Sequence, residues 1–143
     1  MPRALPICAS LLFFANIALA ENWPSWRGPD GMGHSAEKDP PLTWSQKENL
    51  RWKIELPDSG NATPVVWGDR VFITQATNKG AKRGVICVNR KDGKILWEKY
   101  VEFAGQEPTY DTNPYGSASP ATDGERVVVS LGSAGLHCWT MDG

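Results

Sequence analysis

An all-β fold of short strands and tight turns is predicted for this 143-residue chain by three observations. Seven tryptophans stand beside 14 glycines and 11 prolines, while no long Leu/Ala/Glu/Lys stretch offers a helix. A unit of strand-and-turn text recurs within the chain. Its apolar runs, VFI, VIC and VVV, lack the alternation of a sheet with one wet face, which implies strands covered on both sides.

The first 20 residues stand apart from that fold. MPRALPICASLLFFANIALA sets Arg3 ahead of an apolar run from Leu5 to Leu19, with small residues at Ala18 and Ala20. This is the pattern of a secretory signal cut after Ala20. A membrane anchor is the alternative, but a span needs about 20 apolar residues. The run here is shorter and carries Pro6 and Asn16. Cys8 lies too early to bear a lipid, and no cysteine stands directly after Ala20. The expected location is therefore the periplasm or the extracellular space, with no membrane span after cleavage. Removing the segment takes Arg3 from 15 basic residues and nothing from 16 acids, moving the formal charge from −1 to −2. Mixed charge of that size excludes the basic footprint of a nucleic-acid binder. Residues 21–49 read as an extended leader, and 50–143 carry the repeat.

In the repeat, TPVVWGDRVFIT (63–74) aligns with SPATDGERVVVS (119–130). Pro64 meets Pro120, Gly68 meets Gly124, Arg70 meets Arg126 and Val71 meets Val127. GVICVNRKDG (84–93) then aligns with GLHCWTMDG (135–143), Cys87 on Cys138, after a shorter middle loop. NLRWKIEL (49–56) echoes KILWEKYVE (94–102), Trp52 opposite Trp97. The first unit predicts a strand at 62–67, a Gly68-Asp69 hairpin turn and a strand at 70–76. A polar loop at 77–83, a strand at 84–89, a turn at Lys91-Asp92-Gly93 and a strand at 94–101 complete it. The second unit predicts strands at 116–122, 126–131 and 136–140, with a fourth to begin after Gly143. Small four-stranded sheets stacked radially make a β-propeller. A β-sandwich also buries strands on both sides, but it has no need to repeat its turn chemistry. The expected fold is an incomplete β-propeller: an N-terminal closing strand around Trp52, one four-stranded blade and most of a second. Propellers hold 4–8 blades, so the chain reads as the front of a longer protein that needs further C-terminal blades to close its ring.

CVNRKDGKILW (87–97) resembles the tryptophan-docking motif of the pyrroloquinoline-quinone (PQQ) repeat, Ala-x-Asp-x-x-Thr-Gly-x-x-x-Trp. Cys87 stands at the alanine, Asn89 at the aspartate and Asp92 at the threonine, while Gly93 and Trp97 match outright. The second unit is one residue shorter between Cys138 and Gly143 and lacks its tryptophan. The leader NWPSWRGPDGMGHS (22–35), followed by LTWSQKENLRWKIELP (42–57), is similar to the start of secreted PQQ-like propeller proteins, among them the propeller subunit of the outer-membrane β-barrel assembly machinery. The resemblance implies that Trp52 belongs to a strand that clasps the ring, and that Trp97 is a structural rivet between blades rather than a ligand platform. In physical terms, Gly93 can take a positive φ in the turn, and a buried indole serves cores and interfaces.

Chemistry-bearing residues are few. His34 has no Cys or His at ligand spacing, and His137 reads as a satisfied, partly buried strand residue. GPDGMG (28–33) lacks G-x-G-x-x-G order and a following helix, so it reads as surface turns. Cys87 and Cys138 fit either a disulfide of an exported chain or two buried thiols; their apolar surroundings favour the thiols. The insertion FAGQEPTYDTNPYGS (103–117) gathers Tyr110, Asp111, Asn113 and Tyr115 into a candidate ligand or partner loop, unless it only covers a blade edge. TNKGAKR (77–83) is expected on the same face, with Lys79, Lys82 and Arg83 solvated.

The resemblance implies an exported, non-catalytic scaffold with envelope protein partners and no cofactor in this chain. The alternative is the N-terminal part of a PQQ-dependent alcohol or sugar dehydrogenase, in which Ca²⁺ polarises the quinone. Such enzymes carry a vicinal Cys-Cys pair and calcium ligands; Cys87 and Cys138 are far apart in the chain. Polysaccharide binding is a third reading, resting on Tyr110 and Tyr115. The sequence leans away from an enzyme.

Overall fold

The computed structural model describes residues 21–105 and 107–143. Residues 1–20, the expected secretory signal, lie outside the described residues. Seven strands form two antiparallel sheets, and among the described residues there is no α-helix. None of these residues forms a helix long and apolar enough to cross a membrane.

The first sheet takes β1 (Val65–Trp67), β2 (Arg70–Thr77), β3 (Lys82–Asn89) and β4 (Ile95–Glu102) in chain order. Trp67 pairs with Arg70, which leaves Gly68-Asp69 as a two-residue turn. Gly68 supplies the positive φ, +55°, that so short a hairpin needs. β3 starts earlier than the sequence predicts. The β2–β3 register continues out to Thr77 and Lys82, so part of the expected polar loop is paired backbone. A 3₁₀ turn at Asn78–Gly80 closes the hairpin, with Asn78 and Lys79 both at left-handed φ. Between β3 and β4, Trp97 faces Cys87 and Ile95 faces Val88, so Leu96 is the extra residue of a bulge.

The second sheet holds β5 (Ala121–Thr122), β6 (Arg126–Ser130) and β7 (Leu136–Thr140). β5 is much shorter than the predicted 116–122. Pro120 has no N–H to give a ladder, and pairing starts only after it.

One core layer lies between the sheets. Val65, Phe72, Val85 and Cys87 of the first meet Val127 and Met141 of the second, with Trp67, Trp97 and Trp139 packed around them. The opposite face of the first sheet buries Val71, Ile86 and Val88 under Trp52 and Ile54. Central strands β2 and β3 are therefore covered on both sides, as their continuous apolar runs predict. Each Val or Ile fully buried there contributes roughly 1.5–3 kcal/mol. The VVV run departs from that expectation: β6 buries Val127 and Val129 but leaves Val128 partly exposed, because among the described residues no sheet packs against its outward face. Two antiparallel sheets stacked this way are adjacent blades of an incomplete β-propeller.

Trp52 sits where the echo with Trp97 predicts, but not in a strand. Residues 50–56 pair with no strand, and the segment is held by its side chains instead. The N-terminal bridge to β1 comes from farther upstream. Trp23 and Val66 exchange two backbone hydrogen bonds of 2.8 Å, and Thr122 N–H donates to the Pro24 carbonyl at 2.9 Å. The leader thus covers the free edge of β1 and ties it to β5.

Candidate functional site

Two indoles make one and the same contact in successive units. Trp52 Nε1–H donates to the Arg90 carbonyl at 2.7 Å, and Trp97 Nε1–H donates to the Met141 carbonyl at 2.9 Å. Arg90 and Met141 each lie three residues past the aligned cysteines. Beneath the indoles lie the Asp-Gly turns. A Cβ on Gly93 would stand 2.7 Å from Trp52 Cε3, and one on Gly143 would stand 3.1 Å from Trp97 Cδ2. Gly93 therefore serves twice: it takes φ +72° ahead of β4, and it leaves the surface on which the ring lies. Half-buried Trp97 also meets Phe72, with centroids 5.9 Å apart. Gly124 gives the same room to Trp67, whose ring occupies the place of its Cβ. The alignment set Asp123 opposite Trp67, so the sequence held no cue to that contact.

The 103–117 insertion separates into a buried anchor and an exposed rim. Tyr115 belongs to the anchor: its hydroxyl donates to the Glu107 carbonyl at 2.7 Å, and its ring lies 4.5 Å from the Arg83 guanidinium. Phe103 covers the other side of Arg83 at 4.4 Å. Arg83 is only 2% exposed, which corrects the expectation of a solvated charge. It donates to Glu107 at 2.7 Å, to the Gly80 carbonyl at 2.6 Å and to the Leu131 carbonyl at 2.9 Å. Glu107 also accepts from Ser133 N–H at 3.1 Å. Hydrogen bonding from Ser133 and then from Arg83 holds the Glu107 carboxyl below its ordinary range. One buried guanidinium thus fastens the insertion to both sheets. Nothing in the local text marks Glu107 for this role, and the polar residues around Arg83 hide its burial.

Tyr110 and Asp111 form the rim. Asn113 N–H closes a tight turn onto the Tyr110 carbonyl at 2.8 Å, and Asn61 Nδ2 holds the Thr112 carbonyl at 2.8 Å. Tyr110 is left 76% exposed. A cleft of about 540 Å³ beside it is lined by Tyr110, Asp111, Asp58, Lys79 and Tyr115, so the structure does bring Lys79 to the candidate loop. A second cleft of about 450 Å³, walled by Asn113, shares Thr109, Tyr110, Pro114 and Tyr115 with the first.

The family described as outer membrane protein assembly factor BamB, a PQQ-repeat family, matches residues 42–143. The chain belongs to it. No curated protein and no solved structure matches the chain. In this BamB-like chain the matched region takes in both indole docks and the whole insertion.

The cofactor in the repeat's name is a tricarboxylate, and it would need converging cations. The clefts of this BamB-like chain offer Asp58 and Asp111 against Lys79, and the Arg83 guanidinium is already engaged by Glu107. These residues do not fit PQQ. Among the described residues no group of three or more His, Cys, Asp or Glu is placed to hold a metal ion.

The remaining sequence candidates are structural or surface features. His137 is half buried, bonded to the Ala134 carbonyl at 2.8 Å and stacked on Trp139. His34 is exposed beside Asp30 at 3.4 Å, and GPDGMG forms surface turns. Cys87 and Cys138 are both free thiols. Cys87 is buried, and desolvation pushes its pKa up to about 11. Cys138 corrects the expectation of burial, since it lies exposed on the outward face of the second sheet.

Proposed function

We propose that this chain is an exported, non-catalytic propeller module that serves as a protein-interaction scaffold in the cell envelope. The observation that carries the reading is the insertion itself, fastened by the buried Arg83 and its partner Glu107 while Tyr110 and Asp111 face solvent. A rigid scaffold that presents polar and aromatic loop residues is a common arrangement for binding. The family description supports an envelope setting, and the signal-like first 20 residues support export. Tyr110, Asp111 and Asn113 are the contact residues of this reading; Tyr115 holds the loop. The dehydrogenase alternative is disfavoured by the acidic cleft. A two-ring saccharide platform is disfavoured because the Tyr115 ring is occupied by Arg83.

Immobilised full chain, exposed to envelope extract, is expected to retain specific proteins that Tyr110→Ala loses while its melting temperature is unchanged. Retention that ignores this substitution would move the contact surface elsewhere. Titration with PQQ and Ca²⁺, followed by dye reduction with alcohols, is expected to give no saturable binding; turnover would overturn the scaffold reading.

A further inference from the structure

We propose that the trough along the 107–115 segment is a binding site for an extended peptide segment bearing an arginine, the guanidinium lodging beside Tyr110 between Asp58 and Asp111. This rests on the scaffold reading above and names the chemistry of its partner. Three observations converge on it. The two clefts, about 540 and 450 Å³, share the lining residues Thr109, Tyr110, Pro114 and Tyr115, so they adjoin along this loop. The second cleft is lined in part by small residues, Ser117, Ala118, Ser130 and Gly132. The first cleft offers an exposed phenol ring next to two exposed carboxylates, Asp58 and Asp111.

That combination suits guanidinium better than the alternatives. A planar cation can stack on an aromatic face while its N–H fork meets a carboxylate. A lysine ammonium reaches the same carboxylates only as a point charge. An anionic ligand would meet two acids and one base. Lys79 belongs to the argument too. As a lining residue it offsets one of the two carboxylates, and the net negative charge that remains suits a single guanidinium. The loop is also preorganised: the Tyr110–Asn113 turn, the Asn61–Thr112 bond and the Tyr115–Glu107 bond hold its shape without a ligand.

The test uses the full chain and a fluorescein-labelled Gly-Ser-Gly-Arg-Pro-Gly-Ser-Gly peptide, read by anisotropy at low salt. Its counterpart with citrulline for arginine keeps the shape and removes the charge, and is expected to bind about tenfold or more weakly. Asp111→Asn and Asp58→Asn are each expected to weaken the arginine peptide about three- to tenfold, and Lys79→Gln to strengthen it about two- to fivefold. All three side chains are exposed, so the variants should fold, which unchanged melting confirms. Equal binding of the two peptides, indifference to these substitutions, or displacement of the peptide by chitohexaose would each overturn the assignment. Envelope proteins still captured through Tyr110 while the arginine peptide fails would sink the arginine site alone. The reverse result would sink the scaffold reading and leave the site standing.

Discussion

Gly93→Ala offers the sharpest test of how an indole docks on its turn. The substitution acts twice. It places an L side chain at φ +72°, which costs roughly 1–3 kcal/mol. It also sets a methyl 2.7 Å from Trp52 Cε3 and 3.2 Å from Ile54 Cγ2. The indole cannot absorb that approach by rotating, because its Nε1–H is fixed on the Arg90 carbonyl. Overpacking of this kind adds about 1–3 kcal/mol, and loss of the hydrogen bond about 1 kcal/mol. Gly68→Ala isolates the backbone share, since that position has φ +55° and nothing within 4 Å of a Cβ. Urea unfolding followed by far-ultraviolet circular dichroism supplies the free energies. In a double-mutant cycle with Trp52→Ala, the excess cost of Gly93→Ala is expected to vanish, giving a coupling of about 1–3 kcal/mol. A coupling indistinguishable from zero would mean that the turn and the indole do not bear on each other, and the account of indole docking would fail.

Glu107 has its pKa lowered in the folded chain, so its contribution to stability is present above the ordinary carboxylate pKa of about 4.3 and is lost as pH falls through the lower folded value. Glu107→Gln should flatten that acid limb of a stability–pH profile. Arg83→Ala, which empties the space between Phe103 and Tyr115 and takes the donor from the Gly80 and Leu131 carbonyls, should cost about 1–3 kcal/mol for each group left unsatisfied, read by urea unfolding. Of Cys87 and Cys138, only exposed Cys138 should react quickly with a thiol reagent in the native state. Cys138→Ser should remove that fast phase, while Cys87 reacts only on unfolding.

Much of the architecture was legible because a repeat states its own interfaces. Gly93 and Trp97 pointed to a turn and a rivet, and both lie where that reading puts them. Trp52 was found by its echo of Trp97, although its segment is docked by side chains rather than paired as a strand. What stayed hidden was tertiary. The burial of Arg83 depends on Phe103, Glu107 and Tyr115, residues 20 to 32 positions later in the chain, and no local pattern announces such a clamp. Tyr110 and Tyr115 looked alike in the sequence, yet one is rim and the other anchor. The exposure of Cys138 follows from which face of its sheet is covered, a matter that strand periodicity alone does not decide.

Both indole docks end on a carbonyl of the main chain. A peptide oxygen is the same whichever residue carries it, and here one belongs to an arginine and the other to a methionine. Drift at those two positions therefore leaves the joint between units intact, and a duplicated unit can seat itself against its neighbour without any matching change of side chain at the point of attachment.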